Sequence, residues 1–154
     1  MVFGLLEDKL DEVEAHIKQQ GGSLCYRHVD VSNPDQMQAG FDWLIGRYNR
    51  LDYLFNNAGT TLLAELDEAS LEQLHRLIDV NLKGVVTGIR HAYPLMKAAQ
   101  RGHIINTASL AGVTGYPTSS VYAATKAAVI RLTDDLFSRR ARRECTSLLP
   151  FQAT

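Results

Sequence analysis

Tyr122 and Lys126 stand four residues apart in the segment YAATK, and Ser109 precedes Tyr122 by 13 residues. On a helix that spacing puts a phenol and an ammonium on one face, with Cβ atoms about 5 to 6 Å apart. A free tyrosine loses its proton near pH 10, too high for a base at neutral pH. A cation held within about 4 to 6 Å lowers such a value by roughly 1 to 3 pH units, so Lys126 is placed to make Tyr122 useful. With the Ser109 hydroxyl nearby, the three groups suit removing a proton from an alcohol or giving one to a carbonyl. Positioned acid and base groups of this kind contribute about 10² to 10⁴ in rate. A Tyr-x-x-x-Lys pair also arises by chance on helix surfaces, so its meaning depends on the elements that carry it.

Those elements alternate along the chain. Leu5, Leu6, Leu10, Val13 and Ile17 recur at helical spacing, and Gly21 and Gly22 end the pattern. Residues 23–31 (SLCYRHVDV) read as a strand. Ser32, Asn33 and Pro34 then start a helix that Met37, Phe41, Leu44, Ile45 and Tyr48 carry to about Arg50. Residues 51–56 (LDYLFN) form a short apolar strand closed by Asn57, Ala58 and Gly59. Ser70 caps a long helix running towards Tyr93, where Pro94 is expected to kink it. A strand at His103 to Thr107 leads through Ser109 and a glycine-containing loop into the Tyr122 helix, whose buried side carries Val129, Ile130, Leu132, Leu136 and Phe137. An apolar run, Cys145 to Leu149, precedes Pro150. Helix and strand in alternation with short connections predict a parallel sheet covered by helices, in a single domain over residues 1–154. Open α/β sheets hold ligands at the carboxyl ends of their strands, which is where Ser109 falls.

Composition narrows the function. With 45% apolar residues, 21% charged residues and a net charge of −1, there is no electrostatic footprint for nucleic acid or for an anionic membrane. No apolar run approaches the roughly 18 residues of a membrane span. The first residues, MVFGLLEDKLDEVEAH, lack the basic region of a signal peptide. Cys25 and Cys145 share no metal-ligand or CxxC spacing and read as ordinary thiols of a cytoplasmic protein. His28, His75, His91 and His103 share no spacing and read as structural or surface residues. The basic run at Arg139 to Arg143 reads as the solvated end of a helix rather than a nucleic-acid patch.

Several motifs in order resemble those of the short-chain dehydrogenase/reductase family. Asn56, Asn57, Ala58 and Gly59 match its Asn-Asn-Ala-Gly motif, residues 79–84 (DVNLKG) the segment with its helix asparagine, residues 105–109 (INTAS) its serine strand, and YAATK its Tyr-x-x-x-Lys. Asp30 and Val31 match its Asp-Val. The resemblance implies a Rossmann-like three-layer α/β/α fold and a catalytic set of Asn81, Ser109, Tyr122 and Lys126. Tyr122 would be the acid/base, Lys126 would hold the nicotinamide ribose, Ser109 would orient the substrate oxygen, and Asn81 would hold a relay water. It also implies NAD or NADP as cofactor, contacted by Asp30, Val31, Asn57, Ala58, Gly59, Tyr122, Lys126 and Pro150. The last matches, imperfectly, a Pro-Gly-x-x-x-Thr loop at the nicotinamide. For Asn56 and Asn57 a side-chain tie across the sheet is as good a reading as cofactor contact.

The family's opening strand, Gly-rich turn, helix and second strand have no counterpart in these motifs, nor does its last strand, so the sheet is expected to be incomplete. Losing the middle of the strand order 3-2-1-4-5-6 would leave residues 23–31 across a gap, and a rearranged pairing beside the Leu51 strand, or instability, is expected. Two functions follow from the resemblance: an oxidoreductase moving a hydride between NAD(P)(H) and a small alcohol or carbonyl compound, or a silent chain that binds sister subunits. The helices over residues 70–99 and 120–140 would supply the homo-oligomer contact.

Overall fold

The computed structural model describes residues 2–4, 7–115 and 117–141. In chain order these form β1 (Val2–Gly4), α1 (Glu7–Gln19), β2 (Tyr26–His28), α2 (Pro34–Tyr48), β3 (Tyr53–Asn56), α3 (Leu71–Ile78), a π-helical turn (Asp79–Lys83), α4 (Gly84–Ala98), β4 (His103–Asn106), a 3₁₀ turn (Leu110–Gly112) and α5 (Ser120–Ala141). β1 pairs in parallel with β2, and β3 in parallel with β4.

Local chemistry sets several boundaries. The Asn33 side chain accepts from the backbone N–H groups of Asp35 and Gln36, and Pro34 follows at the start of α2. Ser70 and Gln73 form a reciprocal capping box at the start of α3, a device that satisfies two otherwise orphaned N–H groups. Asn49, in the left-handed region at φ 49°, ends α2.

Two elements differ from the sequence expectation. Val2–Gly4 is a strand, where only helix was read, so β2 has a neighbour and pairs with β1 rather than beside β3. Residues 23–31 give only the three-residue strand Tyr26–His28. As expected of a helix over residues 70–99, α4 continues past Pro94 to Ala98. Ala92 and Met96, on either side of it, are buried, and that packing holds the turn together where the proline removes one backbone donor.

Side-chain direction fixes the layers. Phe3 packs edge-on against Phe41 of α2, with ring centroids 5.9 Å apart. Gly4, on the opposite face of β1, lies against Leu10 of α1. On β3 and β4 the even-numbered residues face α4 and α5: Ile104 joins a buried cluster with Ile89, Ala92 and Val129, and Asn106 donates to the Thr133 hydroxyl at 3.0 Å. The other face of β3 carries Tyr53 and Phe55, 58% and 66% exposed. Among the described residues the sandwich is therefore three layers thick at β1 and two at β3. No helix among the described residues is long and apolar enough to cross a membrane.

Candidate active site

α5 presents Tyr122 in its first turn and Lys126 one turn later. Lys126 is 5% exposed. Its Nζ lies 5.8 Å from the centroid of the Tyr122 ring and donates to the Thr107 carbonyl at 2.8 Å. Burial holds the ammonium below the ordinary lysine value. The ladder fixes where Thr107 stands: its N–H bonds the Asn56 carbonyl at 3.0 Å, just beyond β4.

Two residues further on, Ser109 caps the 3₁₀ turn, its Oγ accepting from the Ala111 N–H at 3.2 Å. That turn is pressed onto α5 at Gly112. A Cβ there would sit 2.7 Å from Ala127 N and from Lys126 C, a separation backbone atoms cannot relieve by rotating a side chain. Gly112 thereby sets the turn that Ser109 caps against the helix of Tyr122 and Lys126.

Asn81 comes from the π-helical turn and is fully buried. Its Oδ1 accepts from the Thr60 N–H and its Nδ2 donates to the Thr60 carbonyl, both at 2.8 Å. The π turn is a feature the sequence reading missed. It inserts one residue into an otherwise continuous helix, and such bulges recur at functional sites. Asn81 closes on the strand-end loop at Gly59, where a Cβ would meet Asn81 Oδ1 at 3.3 Å and Lys126 Nζ at 3.8 Å. Gly59, Asn81, Lys126 and Tyr122 are thus brought together.

Asn56 and Asn57 tie the sheet. Asn56 donates to Asn106 at 2.8 Å, and Asn57 accepts from the Thr107 hydroxyl at 2.9 Å. Ala58 is exposed beside them. Val31 packs on Gly84. Asp30 Oδ1 accepts from the Ser32 N–H and hydroxyl, and Oδ2 pairs with Arg76 at 3.1 Å. Burial pushes this carboxyl up, but the Ser32 hydrogen bonds and the Arg76 guanidinium outweigh it and hold the value below the ordinary one. Arg76, which also donates to the Ser32 hydroxyl, escaped the sequence reading. Pro150 lies outside the described residues, as do Cys145 to Leu149 and the side chain of Phe137. His91 stacks on Phe41 and His103 on Tyr53, while His28 and His75 are exposed.

The Asp30 pairing predicts a pH effect. A lowered carboxyl value adds stability above the unfolded value, near pH 4, and that stability is lost as pH falls through the folded one. Arg76→Gln should lower the melting temperature at pH 7 by the equivalent of about 1 kcal/mol or less, since Arg76 is 46% exposed. The difference from the parent should close below pH 4 in thermal melts run from pH 7 to 3.

The match extends well beyond the motifs: the family model described as short chain dehydrogenase matches residues 1–146 of the 154. The chain belongs to the short-chain dehydrogenase family. It is 38% identical over 133 residues, 86% of its own length, to the 3-alpha-(or 20-beta)-hydroxysteroid dehydrogenase of Mycobacterium tuberculosis. It resembles the crystal structure of a metagenomic short-chain oxidoreductase in complex with NADP (TM-score 0.87, 31% identity, 91% of this chain and 64% of that one). A short-chain dehydrogenase/reductase from Burkholderia phymatum in complex with NAD is equally similar (TM-score 0.87, 31% identity, 93% of this chain and 51% of that one). These neighbours carry the Rossmann-like fold. This short-chain dehydrogenase spans about half the length of the curated relatives it matches, 54% and 50% of two of them.

Proposed function

We propose that this chain carries the proton-transfer half of an NAD(P)-dependent oxidoreductase acting on an alcohol or carbonyl compound. The observation that carries the reading is the buried Lys126 ammonium, which spends one N–H on the Thr107 carbonyl and lies beside Gly59, 5.8 Å from the centroid of the Tyr122 ring. An ammonium has three donors and no acceptor, so two are left for the hydroxyls of a ribose. The open backbone at Ala58 and Gly59 fits a flat ligand lying close to the strand ends. NAD or NADP, as held by the solved relatives, would supply the hydride acceptor or donor at this place.

The residues of the chain divide the remaining work. The Tyr122 hydroxyl takes a proton from the alcohol oxygen, or returns one to the carbonyl oxygen. Ser109 accepts from the Ala111 N–H with one of its two lone pairs, and its O–H donates to that same oxygen. Asn81, oriented by its two bonds to Thr60, retains a lone pair on Oδ1 for a relay water. Asp30, clamped by Ser32 and Arg76, and Val31 border the adenosine end, Asn57 lies between, and Pro150 is assigned to the nicotinamide end. Leu71, Val86 and Tyr93 are exposed on α3 and α4, an apolar surface suited to a second copy of the chain.

Titration of the purified chain with NADH and with NADPH tests the reading, followed by nicotinamide fluorescence and by melting temperature. A ligand held only by the folded state adds RT ln(1 + [L]/Kd), about 2.7 kcal/mol at a hundredfold excess over Kd. Saturable binding of either nucleotide, lost in Lys126→Met, is the expected result. A folded chain that binds neither would end the proposal.

A further inference from the structure

Two chain segments border Tyr122 and Ser109, and their side chains bear on what the reacting oxygen is attached to. Residues 60–70 (TTLLAELDEAS) leave the strand-end loop at Gly59 and come back to the start of α5. There the Ala64 N–H bonds the Thr118 carbonyl at 2.9 Å, and Leu62, Ala64 and Leu66 line one recess with Tyr122. Residues 109–115 run from Ser109 through the 3₁₀ turn that Gly112 seats on Lys126 and Ala127. Leu63 and Leu66 on the first segment, and Leu110 and Val113 on the second, are each more than half exposed. Large apolar side chains left in the open beside a binding site mark a surface that an apolar ligand covers.

Charge on the two segments points the same way. Residues 109–122 (SLAGVTGYPTSSVY) hold no charged side chain, and residues 60–70 hold three carboxylates, Glu65, Asp67 and Glu68, with no base. All three are exposed, and none is in an ion pair among the described residues. The cations that border these segments are engaged. Lys126 bonds the Thr107 carbonyl and is assigned to the ribose, while Arg76, beside residues 60–62, is held by Asp30 and Ser32. A substrate carboxylate or phosphate would leave water without gaining a counter-ion, a costly transfer. It would also enter the field of three like charges, which reaches about 10 Å at 0.1 M salt. We propose that the substrate is an uncharged alcohol or ketone with an apolar body, and that molecules carrying a carboxylate or phosphate are refused. The inference rests on the proton-transfer reading of Tyr122 and adds the class of substrate. Selection comes from both sides, an apolar surface for the right body and repulsion against the wrong one.

The test is a titration of the 154-residue chain, with and without NADH, using 4-methylcyclohexanone and 4-oxocyclohexanecarboxylate, which differ by a methyl for a carboxylate on one ring. Binding is read by saturation-transfer NMR at low salt. The methyl ketone should bind at least tenfold more tightly than the carboxylate. Neutralising the three acids together, as Glu65→Gln, Asp67→Asn and Glu68→Gln, should tighten the carboxylate at least threefold and leave the methyl ketone unchanged, and 0.5 M salt should do the same in the parent. Leu110→Ser with Val113→Ser, at exposed positions, should weaken the methyl ketone at least threefold. Equal or tighter binding of the carboxylate would overturn the proposal, as would binding of neither ketone. Methyl ketone binding that ignores the Leu110 and Val113 changes would place it elsewhere and overturn the proposal as well. Any of these results in a chain that binds NADH leaves the proton-transfer reading standing, whereas a folded chain that binds neither NADH nor NADPH fails that reading and this inference with it.

Discussion

Tyr122→Phe should lower turnover of a nicotinamide-linked alcohol oxidation by about 10² to 10⁴, the worth of a positioned acid or base, or about 3 to 5 kcal/mol of barrier. The substitution removes one oxygen and leaves the ring, so the contact with the Lys126 ammonium, 5.8 Å from the ring centroid, persists. Lys126 also keeps its bond to the Thr107 carbonyl. Nucleotide affinity and melting temperature should therefore stay near those of the parent while kcat falls. This split separates a proton-transfer role from a packing role: loss of turnover with an equal loss of nucleotide binding would mean that the hydroxyl holds the site together rather than working in it. The measurement is steady-state kinetics with saturating nucleotide, beside a binding titration of each variant.

How much of this was legible in advance depends on how local each signal is. Asn33 with Pro34, and Ser70 with Gln73, act over three residues, so their helix starts could be read from the sequence. Tyr122 and Lys126 were legible because four residues of helix bring them together wherever the helix lies. β1 was not, because a three-residue strand beside Leu5, Leu6 and Leu10 carries a helix-like pattern, and only pairing with residues 26–28 makes it a strand. The π turn leaves no mark in composition: one extra residue in a turn looks like helix until Asn81 is seen facing Thr60. Arg76 reaches Ser32 from 44 residues away, a contact that spacing along the chain cannot announce. The sheet tie read for Asn56 and Asn57 is present, since both side chains bond partners on or just after β4.

Asn81→Leu is expected to cost stability and loosen the strand-end loop together. Leucine is close to asparagine in length and apolar, so it can occupy the fully buried site without leaving the void that alanine would. What it cannot do is bond the Thr60 N–H and carbonyl, each now met at 2.8 Å. An unmet buried polar group costs about 1 to 3 kcal/mol. Thr60 itself is exposed, so part of that cost is relieved if the loop swings out to water. The expected loss is about 1 to 3 kcal/mol, or roughly 2 to 12 °C in melting temperature at 2 to 4 °C per kcal/mol for a chain of this size. The swing is the second readout. With Asn81 gone, the amides of Gly59 and Thr60 should exchange with solvent at least tenfold faster, while those of β4 change little. Nucleotide affinity should fall with them, because Gly59 is then no longer held beside Lys126. A variant that melts early with Gly59 and Thr60 still protected would show that Asn81 supports the helix core and not the loop. Unchanged nucleotide binding with fast exchange at both amides would show that the loop takes no part in holding the cofactor.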